Sequence, residues 1–435
     1  MQALCSWRPA GGFHFEKSPD SGEDAGPVVH IGRHRTTLAV LDGLGGSGSF
    51  VPSSAFNTLA RSHAALASSA VGCTLTEFIE KTGDLSALGD ESWGAMAREI
   101  HGVLDELDEL LGRERSAISS RLIHVLPTTL ALATIEVPSR GDEYVDIDCI
   151  WAGDSRVYLL SPDETIGLCQ ISTDDTAGDT DAFQALESEP RMTNVLSLAS
   201  RVVLHRRRFA ASWPFVAISA TDGCFDYFAS PMHFEMVLLD SIAKARDFDS
   251  LIALLRDEIS LVARDDATIA LAPVGFDSWK QVSDAFLKRH ASLSAQFLPA
   301  RLDALNSADP DPLSGLWEEY RPSYERIQDQ FPMTEIVWEV ELPTESNPVD
   351  PPATHDHIDS FATPVSSNQK PVADRSQAVT ASEDARVAQG RPVDADTARI
   401  GSRPLHGRSK RKKALAKDGE SLDQMLGESA PRDGR

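Results

Sequence analysis

Thr36-Thr37-Leu38-Ala39-Val40-Leu41-Asp42-Gly43-Leu44-Gly45-Gly46 is the stretch whose reading decides the fold. The apolar run Leu38 to Leu41 predicts a buried strand. It ends in a carboxylate, Asp42, and the glycines Gly43, Gly45 and Gly46 come next. Glycines there permit a sharp turn and bring main-chain oxygens close to a ligand. A carboxylate at a buried strand end, beside backbone carbonyls, suits a hard divalent cation. An ordinary strand-to-turn junction has the same look, so this stretch alone leaves both readings open.

The arrangement recurs. Phe215 to Thr221 is a second apolar strand, and it ends in Asp222-Gly223. Tyr144 to Ala152 alternates and ends in Gly153-Asp154-Ser155-Arg156. Arg264-Asp265-Asp266-Ala267-Thr268 leads directly into Ile269 to Ala272. Four strand termini therefore carry aspartates. Brought together they would repel one another strongly without cations, and a binuclear metal centre is the simplest relief.

With these blocks in this order, the sequence resembles the protein phosphatase 2C (PPM) family of metal-dependent serine/threonine phosphatases. Glu23-Asp24-Ala25 resembles its N-terminal acidic motif, and Val40 to Gly46 its Asp-Gly-x-Gly-Gly loop. Thr128-Thr129-Leu130 resembles its Thr-Thr-Leu strand start, and Ala152 to Tyr158 its Gly-Asp-Ser-Arg block. Ala220 to Gly223 and Asp265 to Thr268 match the last two acidic blocks. The likeness spans roughly residues 11 to 275. It implies an α+β fold, a four-layer α-β-β-α sandwich of two mainly antiparallel sheets flanked by helices.

The resemblance also implies a site. Asp42 would bridge two Mn²⁺ or Mg²⁺ ions, the Gly43 carbonyl would bind one of them, and Asp222 and Asp265 the other. Asp154 would serve a third, weaker cation, while Glu23 and Asp24 would act through metal-bound waters. Water activated by the two cations would attack phosphorus in line, with no phosphoenzyme. The departures are specific. The family's phosphate-binding arginine, four residues before Glu23, is replaced by Pro19, which leaves Lys17 as the nearby phosphate-binding cation. A point-charge lysine lacks the bidentate fork. Many members carry a histidine after Asp-Gly; here it is Leu44, as is common in bacterial members. Read without the family, Glu23 and Asp24 also fit a solvated acidic turn, and Asp154 a hairpin turn with a buried Arg156–carboxylate pair.

The implied function is hydrolysis of phosphoserine and phosphothreonine on proteins, in cytoplasmic signalling. Partners would be phosphoproteins and a cognate serine/threonine kinase. Two alternatives stand beside it: a pseudophosphatase acting as a binding module, and a phosphoesterase for small molecules.

Bulk properties agree. The 435 residues are 41% hydrophobic and 25% charged, ordinary for a globular protein. A net charge of −25 argues against a nucleic-acid-binding body. Cys5, Cys73, Cys149, Cys169 and Cys224 are odd in number and scattered, which suggests neither a zinc knuckle nor a disulfide framework. A reducing cytosol is the expectation, with no signal peptide evident and no membrane-spanning apolar run.

Ser53 to Ser69 and Trp93 to Leu111 predict helices, the first capped by Ser53 or Ser54. The acidic side of the second is expected to face solvent. Val157 to Leu160 is expected as the next strand of a hairpin. Ser172 to Ser200 is acidic and irregular, and it lies where the family carries a substrate-facing flap; Ile171 to Asp175 and Asn194 to Ser197 loosely resemble the family's blocks there. His205-Arg206-Arg207-Arg208 reads as a solvated strand edge, or as a surface for acidic partners. Met232 to Ala243 and Phe248 to Ala263 are two further helices. After a catalytic domain at 1–275, residues 276–343 are expected to form an accessory helical extension with a strand near Thr334. Residues 344–435 are expected to be a disordered tail, and they carry the basic cluster Lys410 to Lys413.

Overall fold

The computed structural model describes residues 7–82, 90–114, 124–137, 142–178, 180–188, 190–198, 201–307 and 311–339, all in one unit. The tail at 344–435 and its basic cluster lie outside the described residues. Leu38 to Val40 falls on β3 (Arg35–Val40), buried from Thr36 onward. Side chains alternate across a strand, so Leu38 and Val40 face one core and Ala39 another. That double burial explains why the run is apolar throughout.

β3 belongs to a six-stranded sheet with β2 (Val28–Ile31), β4 (Leu130–Glu136), β5 (Tyr144–Ala152), β8 (Arg201–Ser212) and β11 (Thr334–Glu339), in the order β11-β8-β5-β4-β3-β2. A five-stranded sheet holds β1 (Gly11–Phe15), β10 (Ala267–Val274), β9 (Phe215–Ala220), β6 (Arg156–Leu160) and β7 (Leu168–Gln170), in the order β1-β10-β9-β6-β7. Every pairing in both sheets is antiparallel.

Three apolar cores separate four layers. Between the sheets, Leu38, Val40 and Trp151 meet Val157, Ala217 and Ala270. Outside the six-stranded sheet, α2 (His63–Thr82) and α3 (Asp90–Leu110) bury Leu75, Ile100 and Leu104 against Leu132 and Ile150. Outside the five-stranded sheet lie α5 (Pro231–Lys244), α6 (Phe248–Val262) and α7 (Trp279–Ser307), with Phe234, Leu255 and Phe286 over Ile218 and Ile269. The result is the expected α-β-β-α sandwich. Among the described residues no helix is long and apolar enough to cross a membrane.

Four local expectations are corrected. The first helix begins at His63, not Ser53, with Ser62 Oγ accepting from the Ala65 N–H at 3.2 Å. Asn57 cross-links the preceding loop, donating to the carbonyls of Pro52 (3.0 Å) and Arg61 (2.8 Å), and Phe56 and Leu59 are exposed. Side-chain hydrogen bonds thus outcompete helix in that stretch. The second correction is in α3, where Asp108 is buried rather than solvent-facing. Third, β5 and β6 do not form a hairpin; the chain changes sheets at Gly153 to Ser155.

Fourth, the His205 to Arg208 run is no solvated edge, because β8 has β5 on one side and β11 on the other. Arg206 is buried and holds both oxygens of Asp148 at 2.8 and 2.7 Å. Arg207 is buried over the Trp151 ring, and the exposed Arg208 pairs with Asp146 at 2.9 Å.

The segment after β10 contributes α7, α8 (Asp311–Tyr324), α9 (Arg326–Gln330) and β11. Its Phe286, Phe297, Trp317 and Tyr324 enter the same core as Phe13 and Ile218.

Candidate active site

The sheets deliver the four predicted aspartates by their strand ends. Asp42 follows β3, Asp154 follows β5, Asp222 follows β9 and Asp265 precedes β10. Asp42, Asp222 and Asp265 line one cavity of about 410 Å³, together with Glu23 and the segment Gly43 to Ser47, which enters the one-turn helix α1 (Gly45–Gly48). Asp154 lies close enough to Asp222 for the two charges to repel.

The backbone of Asp42 is clamped. Its N–H donates to Thr129 Oγ1 (3.0 Å), and its carbonyl accepts from the Thr129 N–H (2.8 Å) and Thr128 Oγ1 (2.9 Å). Thr129 Oγ1 also shares a hydrogen bond with Ser155 Oγ at 2.6 Å, tying the Asp42 loop to the Asp154 turn. Gly43 has no room for a side chain: a Cβ would come within 2.7 Å of the Ala64 carbonyl oxygen. Gly153 turns the chain between sheets with φ +97°, in the left-handed region that favours glycine.

Electrostatics follow from crowding. Burial raises Asp42 well above the ordinary carboxylate range, and repulsion from Asp222, Asp24 and Asp154 adds to it. Burial and then Asp222 do the same to Asp154. Asp222 is also raised, mainly by burial. Asp24 is pushed up to about 7, by burial first, despite hydrogen bonds from Thr268 Oγ1 (2.8 Å) and Thr221 Oγ1 (2.9 Å). Burial raises Glu23, and Asp266 and Asp265 add to it, while a hydrogen bond from Ser62 Oγ opposes it.

Asp42, Asp222 and Asp24 lie within electrostatic reach of one another. Among the described residues no three His, Cys, Asp or Glu side chains form a ready-made ligand cage. The chemistry of the set nevertheless fits a hard cation. Its donors are carboxylate oxygens carrying more negative charge than they can hold together, and Asp154 Oδ1 is buried with no hydrogen-bond partner among the described residues. Such donors favour Mg²⁺ or Mn²⁺ over zinc.

The remaining predicted residues sort clearly. Glu23 is in the cavity wall, whereas Asp24 is buried behind it, bound to Thr221 and Thr268. Lys17 is exposed and does not line the cavity; its backbone N–H donates to Asp266 Oδ1 at 2.9 Å. Asp266 also accepts from the Glu23 N–H at 2.6 Å, so it fixes the N-terminal acidic segment. Sequence reasoning missed the wall's basic and amide residues, His124, Arg191, Asn194 and Arg201. The available signals were the flap position of Arg191 and Asn194 and the loose likeness of Asn194 to Ser197 to a family block. Burial lowers the His124 pKa, and the nearby Arg191 charge lowers it further.

No protein-family model matches the chain, and no curated protein matches it in sequence. Solved structures do. Serine/threonine phosphatase Stp1 from Staphylococcus aureus is 15% identical over 63% of this chain and 98% of its own, with a TM-score of 0.44. Mycobacterium tuberculosis serine/threonine phosphatase PstP/Ppp is 16% identical over 62% of this chain and 99% of its own, at 0.43. The PPM Ser-Thr phosphatase MsPP from Mycobacterium smegmatis, in complex with cacodylate, is 14% identical over 63% and 100%, at 0.40. This chain's structural neighbours thus include serine/threonine phosphatases, one of them named as a PPM enzyme.

Proposed function

We propose that this chain is a metal-dependent phosphatase of the PPM kind, acting on phosphoserine and phosphothreonine of proteins in cytoplasmic signalling. The observation that carries the reading is one cavity lined both by Asp42, Asp222 and Asp265 and by the basic residues Arg191 and Arg201. A phosphate monoester needs cations on its oxygens and an activated water at phosphorus. Asp42, the Gly43 carbonyl, Asp222 and Asp265 would hold two Mn²⁺ or Mg²⁺ ions, with Asp154 for a third and Glu23 and Asp24 acting through water. Bound cations would supply charge neutralisation and a readily deprotonated water.

The chain's own groups do the rest. Thr128 and Thr129 hold Asp42 by its backbone. Asp266 holds Glu23 by its N–H. Arg191 offers a phosphate the bidentate fork that the Pro19 position lacks.

The departures at Pro19 and Leu44, with Lys17 outside the cavity wall, favour one second reading, a pseudophosphatase. Turnover of p-nitrophenyl phosphate and of a phosphothreonine peptide, in Mn²⁺ and in EDTA, separates the two. Mn²⁺-dependent turnover that Asp42→Asn abolishes is the expected result, and a peptide preference marks a protein phosphatase. A folded wild type without turnover overturns the proposal.

A further inference from the structure

Asp175 lies at the base of the flap segment, outside the cavity wall, and every polar group it owns is engaged. Its Oδ2 accepts from the Gly153 N–H at 2.9 Å and from Asn194 Nδ2 at 2.7 Å. Its Oδ1 is 2.7 Å from His205 Nε2 on β8. Its own N–H donates to the Gly153 carbonyl at 3.0 Å. Its carbonyl accepts from the Thr193 N–H (2.7 Å) and Thr193 Oγ1 (2.9 Å). Asn194 is fixed in turn by donating to the Val203 carbonyl at 2.8 Å.

One residue therefore joins the turn that carries Asp154, the two wall residues Thr193 and Asn194, and the six-stranded sheet. A surface acid would leave an oxygen to water; here the carboxylate is 12% exposed and bonded on both oxygens. Its neighbour Asp174 serves a different partner, the buried Arg156, at 2.6 Å. The two adjacent acids thus tie the flap to different elements.

We infer that Asp175 is a positioning residue that locks the flap wall to the Gly153–Asp154 turn, so that a phosphorylated peptide meets a preset wall. The inference rests on the phosphatase reading of the cavity. Wall residues placed in advance lower the cost of ordering substrate, so losing the lock weakens substrate binding more than the chemical step.

Steady-state kinetics on a phosphothreonine peptide tests this with Asp175→Ala, Asp175→Asn, Asn194→Ala and the Asp175→Ala/Asn194→Ala double variant. Asp175→Ala is expected to raise KM about tenfold with a much smaller change in kcat. Asp175→Asn, which keeps an acceptor for the Gly153 N–H, is expected to recover part of the loss. The double variant should be no worse than the poorer single, because both remove the same link. Additive KM effects, or a fall confined to kcat, would overturn the inference.

Amide hydrogen exchange reads the lock without turnover. In wild type, segments 153–155 and 192–196 are expected to be protected, and in Asp175→Ala both should open while β4 and β9 stay protected. Unchanged protection overturns the lock even in an active enzyme. An inactive wild type whose two segments open together in the variant overturns the phosphatase reading alone. Should Asp175→Ala fail to fold, Asn194→Ala removes only the flap side of the link and gives the same exchange readout at 192–196.

Discussion

At Asp42 a single carboxyl answers to three others, and that crowding has consequences for both activity and stability. Asp42→Asn removes a charge that burial and Asp222, Asp24 and Asp154 all oppose. Turnover should fall by at least about a thousandfold, on the order of 4 kcal/mol of transition-state stabilisation, while the melting temperature in EDTA at pH 8 holds or rises. Asp222→Asn should behave alike. A large loss of stability would mean the carboxylates hold the fold together rather than strain it. The second consequence concerns pH. Burial, aided by Asp222, lifts Asp24 to about 7, so the folded chain retains a proton that the unfolded chain releases near pH 4. Stability in EDTA is then full below about pH 4 and falls as pH rises through about 7, by a few kcal/mol in order of magnitude. Urea denaturation at pH 5 and pH 8 measures it, and a flat profile contradicts it. Asp42, Asp154, Asp222 and Asp265 were legible in the sequence because each abuts an apolar run whose period places it. Arg191 and His124 were not, and Asp175 and Asn194 showed only a loose likeness with no role attached, because all four sit in irregular segments whose contacts come from tertiary placement.

At the scale of the element, apolar periodicity located strands of both sheets and most long helices; the short β2 and β7 escaped it, and local polar chemistry defeated it twice. Ser53 to Arg61 has helical spacing, yet Asn57 and the Ser53–Glu114 hydrogen bonds hold it as a loop. Ser62 is the residue that caps α2, through the Ala65 N–H. Ser62→Ala should therefore cost about 1 kcal/mol, the usual worth of a cap, whereas a helix starting at Ser53 would make it nearly neutral. Chemical denaturation decides between them. The second defeat is the Gly153 to Ser155 turn, where a hairpin signal marks a change of sheet. No local pattern distinguishes the two, since both need a tight turn. The crossing matters because it places Asp154 beside Asp222, which comes from the other sheet. Arg156, just past the crossing, is buried with Asp174 at 2.6 Å. Arg156→Met would leave the Asp174 carboxylate without its partner and should cost about 3–5 kcal/mol by the same denaturation assay.

At the scale of the whole molecule, the question is where the catalytic unit ends. The family resemblance stops near residue 275, and sequence reasoning treats residues 276–343 as accessory. The described part of this segment is packed on the core. Arg289 on α7 holds both oxygens of Glu235 on α5 at 2.7 and 2.8 Å, and Glu235 is fully buried. Tyr320 on α8 donates to the same carboxylate at 2.5 Å. Trp317 stacks on Phe183 of the flap's short helix α4 (Ala182–Ser188), and Arg321 pairs with Asp181 just before it at 3.1 Å. Gln328 on α9 donates to the Ser172 carbonyl, and β11 covers the open edge of β8. Ending the chain at 275 would strip Phe286, Phe297, Trp317 and Tyr324 from that core, uncover the faces of Tyr158 and His233 that Tyr324 and Phe297 pack on, and leave Glu235 without either partner. Each large apolar side chain uncovered costs roughly 1.5–3 kcal/mol, so a handful equals the stability of an ordinary domain. A chain ending at 275 should therefore be insoluble or unfolded by circular dichroism. One ending at 343 should fold and turn over p-nitrophenyl phosphate at nearly the full-length rate. If instead the 275-residue chain folds and works, α7 to β11 is a detachable layer, and its hold on the flap serves regulation rather than folding.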